Sequence, residues 1–388
     1  MRPINEYVNL SQNKIENHLK TQTSAFKEEV APADSVTYKL GQFFWSNLFG
    51  FVYHYLKSRF GKRFPYQSYP KSGDLGVYQI PAEARLVLLS DWATDTIESD
   101  LVGRLANRYH PDYSLHLGDV YFVGTSKEIR ANFLNPDASW PWGKNGSLVL
   151  SGNHEMYSNG RAFFQELLPT MWIEQQGIRK TQQAGFFCLE NDYWRIIGLD
   201  TGYTSVRNPI LEVLSPPDCR LKKEQLSWLK NQVRLDNPDD QRGIIFLSHH
   251  PVFSVFRHFF PKPADQIREL FGLANRSVAW IWGHEHQMVV YQTQHLNNGL
   301  TVHGRCIGHG GMPVEMNEPE SYTPILFMDD RVRTRLKRRE IGYNGFVYLT
   351  LEGPRAVVKY IDVEDTMIYQ EHWQVENGKV IVEKTDAT

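Results

Sequence analysis

Five apolar runs, each followed directly by a short polar cluster, are the feature that most restricts how this chain can fold. The runs cover residues 86–89, 115–117, 148–150, 244–247 and 280–282, and the clusters begin at Asp91, Gly118, Gly152, His249 and Gly283. Short apolar runs rich in Leu, Ile and Val are typical of buried strands, and helical segments separate them. They predict an α/β sheet, in which the polar loops at the strand ends should gather at one edge.

The clusters carry the donor types that hold metal ions. They contain carboxylates, one carboxamide and several imidazoles: Asp91, Asp119, Asn153, His154, Glu155, His249, His250, His284 and His286. A Gly-Asp pair or a lone His before Pro is common in loops, so each cluster alone means little. Together, in this order, they predict a pair of metal ions of the kind that serves hydrolysis at phosphorus.

These residues resemble the motifs of the calcineurin-like metallophosphoesterase superfamily, which run D-x-H, G-D-x4-G, G-N-H-[DE], H-x-P and G-H-x-H. In this chain the corresponding positions are 91–93, 118–124, 152–155, 249–251 and 283–286. The resemblance covers roughly residues 86–310. It implies a four-layer α/β/β/α sandwich of two mixed sheets, with all five motif loops at one edge.

The resemblance also implies a division of ligands between two divalent or trivalent ions of manganese, iron or zinc. One ion would take Asp91, Asp119 and His286, and the other would take Asp119, Asn153, His249 and His284, so that Asp119 bridges them. The expected reaction is hydrolysis of phosphate mono- or diesters by a hydroxide that bridges the two ions.

Two residues beside the ligands are expected to serve catalysis. His154 should face the substrate, where its imidazole can protonate the leaving oxygen. For Glu155 two roles stay open: it orients the other ring nitrogen of His154, or it has a structural role and faces solvent. His250 is expected either behind the ligands or facing the substrate, together with Asn153.

The first motif departs from the family pattern, because Ala93 stands where the family has a ligand histidine. Purple acid phosphatases also lack that histidine and take a ligand from a tyrosine three residues after the bridging aspartate. Here that register holds Phe122, and the nearest tyrosine is Tyr121. Either Tyr121 binds the first ion through a differently bent loop, or it packs under the loop. In the second case the first ion is short of a ligand, and Ala93→His should tighten its binding.

A glycine-rich segment, residues 302–311, is expected near the mouth of the site. Arg305 could bind a substrate phosphate with two nitrogens, and His309 could line the opening. Alternatively, His303 and Arg305 satisfy buried carbonyl groups.

Composition fits a globular enzyme. The chain has 388 residues, 41% of them hydrophobic, which is enough for a large core. Its net charge of −2 gives no indication of a nucleic-acid partner. Three widely spaced cysteines, no signal-like N-terminus and no apolar stretch of the ~20 residues that span a bilayer favour a cytoplasmic location.

Two parts are expected: an aromatic-rich, partly helical extension with a linker over residues 1–80, and a catalytic domain over 81–388. The aromatics of residues 40–60 and the basic residues after them allow two interpretations. They form an amphipathic helix on the catalytic domain, or they contact a membrane surface through residues 40–63. The substrate would then be a small-molecule or a lipid phosphate ester. A third hypothesis is a metal-binding scaffold that lost catalysis with the change at Ala93.

Three later segments have structural patterns. Apolar residues at helical spacing predict a helix over 221–235, which covers the sheet. Two strands, 345–351 and 356–360, flank a Gly-Pro turn and predict a hairpin that extends the second sheet. The basic run 331–339 is expected to be a solvated surface.

Overall fold

The computed structural model describes residues 61–383 except 71, 207–216, 257–258, 273–275, 298, 317 and 337–338. The strands are β1 (Val77–Gln79), β2 (Glu83–Leu89), β3 (Tyr113–His116), β4 (Gly146–Val149), β5 (Trp172–Gln175), β6 (Ile178–Thr181), β7 (Phe187–Glu190), β8 (Trp194–Leu199), β9 (Gly243–Ser248), β10 (Ser277–Trp282), β11 (Met288–Tyr291), β12 (Gln294–His295), β13 (Thr301–Ile307), β14 (Ile325–Met328), β15 (Thr334–Leu336), β16 (Arg339–Ile341), β17 (Gly345–Glu352), β18 (Arg355–Asp362), β19 (Met367–Glu376) and β20 (Lys379–Glu383). The helices are α1 (Ile97–Arg108), α2 (Ser126–Glu128), α3 (Asn153–Tyr157), α4 (Lys223–Trp228) and α5 (Lys262–Phe271). Turns of π-helix cover Ile129–Leu134, Phe163–Leu167 and Leu229–Val233, and 3₁₀ turns cover Pro136–Ala138 and Leu168–Thr170.

Two large sheets form the centre of the molecule. Sheet I has the strand order β20-β19-β18-β17-β2-β3-β4-β5-β6. Sheet II has the order β1-β7-β8-β9-β10-β13-β11-β14, with β12 beside β13. In each sheet a parallel centre is flanked by antiparallel strands, with β2, β3 and β4 parallel in sheet I and β8, β9 and β10 parallel in sheet II.

Alternate residues of the central strands pack on opposite faces. In β2, Leu86 and Leu88 join the core between the two sheets, whereas Val87 and Leu89 join a core under helices. In β9, Leu247 faces the central core and Phe246 an outer core on the other side of the molecule. Strands buried on both faces read as continuous apolar runs, as the sequence does. The predicted four-layer α/β/β/α sandwich is confirmed.

Helices cover the outer face of each sheet. On sheet I, α1 begins at the N-cap Thr96, whose side chain accepts a hydrogen bond from the backbone of Ser99, and it buries Val102 and Leu105. On sheet II, α4 and the π turn after it bury Trp228, Leu229 and Val233. The helix predicted over residues 221–235 is therefore present and covers the sheet.

The late hairpin also forms, but in the other sheet. Strands β17 and β18 pair antiparallel around a two-residue turn at Gly353 and Pro354, as predicted. However, β17 pairs with β2, so this hairpin and the strands β19 and β20 extend sheet I, which carries the first three motifs. The expectation that they extend the second sheet was wrong.

Parts of the segment 61–79, within its described residues, pack on the remainder of the chain. Phe64 donates its backbone N–H to Asn159 O, and Tyr69 belongs to the core under sheet II. Strand β1 pairs in parallel with β7. The two interpretations of residues 40–60 concern a segment outside the described residues. Within the described ranges, every helix is too short or too polar to cross a membrane.

The basic run 331–339 forms a small antiparallel ribbon from β15 and β16, although residues 337 and 338 lie outside the described residues. Its exposed arginines pair with acids: Arg335 lies 2.6 Å from Glu340, and Arg339 pairs with Glu315. The described part of this ribbon is a solvated surface on which Arg335 and Arg339 are paired with acids.

Candidate metal centre

The ends of five strands from both sheets meet at one edge of the sandwich. Strands β2, β3 and β4 of sheet I lead into the first three motifs, and β9 and β10 of sheet II lead into the last two. Asp91 and His286, which are 195 residues apart in sequence numbering, lie with Oδ1 and Nε2 only 3.5 Å apart. The predicted convergence of the five motif loops is therefore observed.

The hydroxyl of Tyr121 lies among the donors expected to hold the first ion. It is 2.7 Å from Asp91 Oδ1, 2.7 Å from His286 Nε2 and 3.3 Å from Asp119 Oδ2. Tyr121 is 1% exposed, so its phenol is a buried part of the site. Of the two interpretations of Tyr121, this geometry favours the one in which it is a ligand.

Ala93 has a different function from the histidine that it replaces. Its carbonyl accepts a hydrogen bond of 3.0 Å from the backbone N–H of Tyr121 and so holds the loop that presents the phenol. Its methyl group belongs to the hydrophobic core under the helices of sheet I, together with Val120. We therefore no longer expect Ala93→His to tighten the first site, because an imidazole there would overpack this core.

The donors expected for the second ion surround His249. Its Nε2 is 3.2 Å from Asp119 Oδ2 and 3.2 Å from Asn153 Oδ1. Its Nδ1 lies 3.0 Å from Leu117 O, which can accept the Nδ1–H and leave Nε2 free to bind an ion. The ring of His284 lies 5.2 Å away, centre to centre.

The donor set fits metal ions by its spacing and charge. Two groups of three side chains place ligand atoms within 4.8 Å of one another: Asp91, Asp119 and His249, and His249, His250 and His284. Burial raises the pKa of Asp91, but His249 and His286 lower it to about 2. Burial raises the pKa of Asp119, but His249 and His154 lower it further, so this pKa lies well below the ordinary value. Two buried carboxylates whose pKa values are lowered by neighbouring imidazoles form a site that favours positive charge.

Three of the donors have left-handed backbone conformations, which are uncommon for residues other than glycine. The φ angles are +56° at Asp91, +69° at Asp119 and +67° at His284. Such conformations cost free energy, and they cluster at functional sites where the surroundings fix them. They turn the chain sharply at the strand ends, so that each side chain faces the shared centre.

Two motif glycines are required by close packing at the centre. A Cβ atom at Gly152 would collide with the carboxylate of Asp119, and one at Gly283 would collide with Ser90 and the carboxylate of Asp91. The glycines of G-N-H-E and G-H-x-H thus let backbone approach the two aspartates.

His154 lies at the opening of the site. Its Nδ1 is 2.5 Å from the carbonyl oxygen of Phe122, and its Nε2 is 3.7 Å from Asp119 Oδ2. The side chains of His154 and His286 are 18% and 31% exposed, whereas Asp91 and His249 are wholly buried. His154 and His286 are therefore the imidazoles that an entering molecule can reach, and of these two only His154 is not expected to bind an ion.

Glu155 does not orient His154, and it does not face solvent. Its carboxylate accepts backbone N–H groups from Gly152 at 2.7 Å, from Val120 at 2.5 Å and from Asp119 at 3.3 Å. It is wholly buried. The orienting role is wrong, since the carbonyl of Phe122 holds the ring of His154. Glu155 has the structural role, because it fixes the loop of Asp119, but it does not face solvent.

His250 lies behind the ligands rather than facing the opening. It is 2% exposed, and its Nδ1 is 3.0 Å from Thr201 Oγ1. Its ring packs 4.8 Å from the rings of both His249 and His284. Burial holds the pKa of His250 well below the usual value, so the ring is neutral. The buried position of His250 does not support a direct contact with substrate.

The two residues expected at the mouth are buried elsewhere. Arg305 is 1% exposed and donates to both carboxylate oxygens of Glu371, at 2.7 and 2.5 Å, and to Tyr291 O. Its assignment as a phosphate ligand was wrong, and the alternative that it satisfies a buried carbonyl is correct. His309 is 1% exposed and packs against Gly345, so it does not line the opening either.

Several residues of the site were missed from sequence. Glu128 accepts the backbone N–H groups of Phe122 and Thr125, and Asn132 donates to Tyr121 O, so both fix the loop that carries the phenol. Thr201 follows the apolar strand β8, which is a sixth run-and-cluster pattern that could have revealed it. Backbone contacts such as those of Glu128 have no comparable signal.

The family model for calcineurin-like phosphoesterases matches residues 84–288. This chain belongs to the calcineurin-like phosphoesterase family, which confirms the resemblance of its motifs. No curated protein matches the chain significantly.

Solved structures share the fold. GAP50, the anchor in the inner membrane complex of Plasmodium, is 15% identical with a TM-score of 0.51, over 76% of this chain and 89% of that chain. PhoD is 11% identical with a TM-score of 0.50, over 80% and 73%. A purple acid phosphatase from yellow lupin (Lupinus luteus) seeds is 16% identical with a TM-score of 0.49, over 78% and 54%. At these identities the likeness to GAP50 and PhoD concerns the fold alone.

Proposed function

We propose that this chain is a metal-dependent phosphoesterase that hydrolyses phosphate monoesters or diesters at a centre of two metal ions. The observation that carries the proposal is the position of Tyr121. Its hydroxyl lies 2.7 Å from both Asp91 Oδ1 and His286 Nε2, in the ligand set that the change to Ala93 would otherwise leave incomplete. Membership of the phosphoesterase family supports the same conclusion.

The residues divide between two ions around a shared aspartate. Asp91, Tyr121 and His286 would hold the first ion with Asp119, and Asp119 would also serve the second. The second ion would take Asn153, His249 and His284 as its further ligands. Oxygen and imidazole donors without thiolate suit manganese, iron or zinc. Such a pair of ions, when bound, supplies charge to the phosphoryl oxygens and lowers the pKa of a water molecule.

The chain itself supplies positioning and a proton. Because Phe122 O occupies Nδ1 of His154, Nε2 is the nitrogen that faces a substrate in the opening. From there the doubly protonated ring can stabilise charge on the phosphoryl group or give its Nε2 proton to the leaving oxygen. Glu155 fixes the loop of Asp119 through three backbone N–H groups, so the shared carboxylate is held in place before substrate arrives.

Two other hypotheses receive less support. A scaffold that lost catalysis should have lost several functional residues, yet Ala93 is the one departure within the five motifs, and Tyr121 lies where it can compensate. A lipid phosphoesterase at a membrane surface depends on residues 40–60, which lie outside the described residues. We therefore propose small phosphate esters as the substrates to test first.

The test is turnover of a nitrophenyl phosphate monoester and the matching bis-nitrophenyl diester by protein loaded with manganese, iron or zinc. We expect hydrolysis of at least one, and a fall of at least ~100-fold in Asp119→Asn, the scale of losing a central electrostatic contact. Circular dichroism of both proteins controls for folding. Wild-type protein that binds two ions and hydrolyses neither ester would identify a scaffold instead.

A further inference from the structure

Tyr157 contacts both a proposed metal ligand and the proposed acid. It is the last residue of the short helix α3, which begins at Asn153. Residues three and four apart lie on the same side of a helix, so Tyr157 is a neighbour of His154 and of Asn153. Asn153 Nδ2 donates to Tyr157 OH at 2.9 Å, and the rings of Tyr157 and His154 meet edge to face at 5.0 Å.

The hydrogen bond to Tyr157 engages the nitrogen side of the Asn153 amide. An asparagine side chain has a carbonyl oxygen on one side and an NH₂ group on the other, and only the oxygen can bind a metal ion. With Nδ2 directed at Tyr157, Oδ1 lies 3.2 Å from His249 Nε2, among the donors of the second ion. In the opposite orientation, two N–H groups would face the ion.

We propose that Tyr157 is a positioning residue of the second metal site. Its hydroxyl accepts the Nδ2–H of Asn153 while Oδ1 is directed at the ion, so it holds the amide in place, and its ring supports His154. This inference rests on the proposed two-metal function. The role of the hydroxyl and the role of the ring are separable, because Tyr157→Phe removes the first and keeps the second.

The primary test is an equilibrium metal titration of Tyr157→Phe with manganese and zinc, followed by metal analysis. We expect the second site to bind 10- to 100-fold more weakly, the usual range for a group that orients a ligand, while the first site is unchanged. Turnover should recover at saturating metal, because the ring beside His154 is intact. Tyr109→Phe, which removes a hydroxyl that bonds to Asp365 outside the site, is the matched control.

A double-mutant cycle with Asn153→Asp separates orientation from a general structural role. An aspartate at this position has no N–H group for the Tyr157 hydroxyl to accept, and either of its oxygens can face the ion. Tyr157→Phe should therefore cost much less metal affinity in the Asn153→Asp background than in the wild type. An equal cost in both backgrounds, or an unchanged titration of Tyr157→Phe, would overturn the inference. A wild-type protein without a second site would instead refute the proposed function.

Discussion

At the residue scale, the proposed first metal site depends on one phenol. Tyr121 lies one residue earlier than the tyrosine register of the purple acid phosphatases, and its loop is fixed by Ala93 O, Glu128 and Asn132. A loop held at both backbone and side chain costs little reorganisation when an ion binds.

Tyr121→Phe removes the donor and keeps the ring, so we expect weaker binding at the first site with little loss of stability. Removing a group that only orients a ligand typically lowers metal affinity 10- to 100-fold. Because Tyr121 would be a ligand itself, we expect its loss to lower the affinity of the first site at least ~10-fold. A metal titration measures it, with Tyr109→Phe as the control. A titration identical to that of the wild type would mean that Tyr121 only donates a hydrogen bond to Asp91.

His154 should act on the substrate and not on the ions. We expect His154→Ala to keep its full metal content and to lose roughly 10²–10⁴-fold in turnover, the range for a positioned acid. Parallel metal analysis and kinetics test this division of roles. Loss of metal from the variant would make His154 a ligand.

At the element scale, the strands were predictable from sequence and their loop contacts were not. Runs such as 86–89 and 244–247 are buried on both faces, and consecutive apolar residues in the sequence predict that burial. Two of the three partners of Glu155, the backbone N–H groups of Asp119 and Val120, lie more than thirty residues earlier in the chain, so only its contact with Gly152 is local. The position of a glutamate beside a histidine in the sequence does not show which partner its carboxylate binds.

Asp200 joins the end of β8 to the turn that follows β4. Its Oδ1 accepts hydrogen bonds from Ser151 Oγ at 2.7 Å and from the backbone of Tyr203 at 3.0 Å. Burial raises the pKa of Asp200 to about 6, although Ser151 and Arg63 act in the opposite direction. The folded state thus favours the neutral carboxyl, compared with a pKa near ~3.9 in the unfolded chain.

This shift predicts that ionisation of Asp200 destabilises the fold. The unfolded chain releases the proton first, so the free energy of unfolding should fall as pH rises from about 4 to about 6, by about 3 kcal/mol from this group. Asp200→Asn cannot titrate and should lack this part of the pH dependence. Urea unfolding of both proteins between pH 4 and 8 measures the difference, and parallel curves would contradict the assignment.

At the scale of the whole molecule, a buried ion pair connects the two sheets. Arg305 is on β13 of sheet II and Glu371 on β19 of sheet I, each 1% exposed, and Tyr360 donates a further hydrogen bond to Glu371. The sequence could not distinguish this arginine from a phosphate ligand, because its partner lies 66 residues away. The sandwich itself was predictable from the resemblance of the five motifs to the family, and the pattern of runs and clusters predicted which strand ends meet.

Glu371→Ala should leave the charge of Arg305 buried and unpaired, which costs about 3–5 kcal/mol of stability. The double variant Arg305→Met with Glu371→Leu should recover most of this loss, because it leaves no unpaired charge. Turnover per folded molecule should be unchanged in the double variant. A raised KM in the double variant, with normal stability, would show that Arg305 contributes to substrate binding.

The most direct measurement of the central claim is a crystal structure of metal-loaded protein with anomalous scattering from the bound ions. We expect two peaks roughly 3.5–4 Å apart, the separation in two-metal sites, with Asp119 between them. The Tyr121 oxygen should lie about 2.0–2.2 Å from the peak that also contacts Asp91 and His286, the usual bond length for an oxygen ligand. A single peak, or two peaks with the Tyr121 oxygen outside bonding distance of both, would contradict the account.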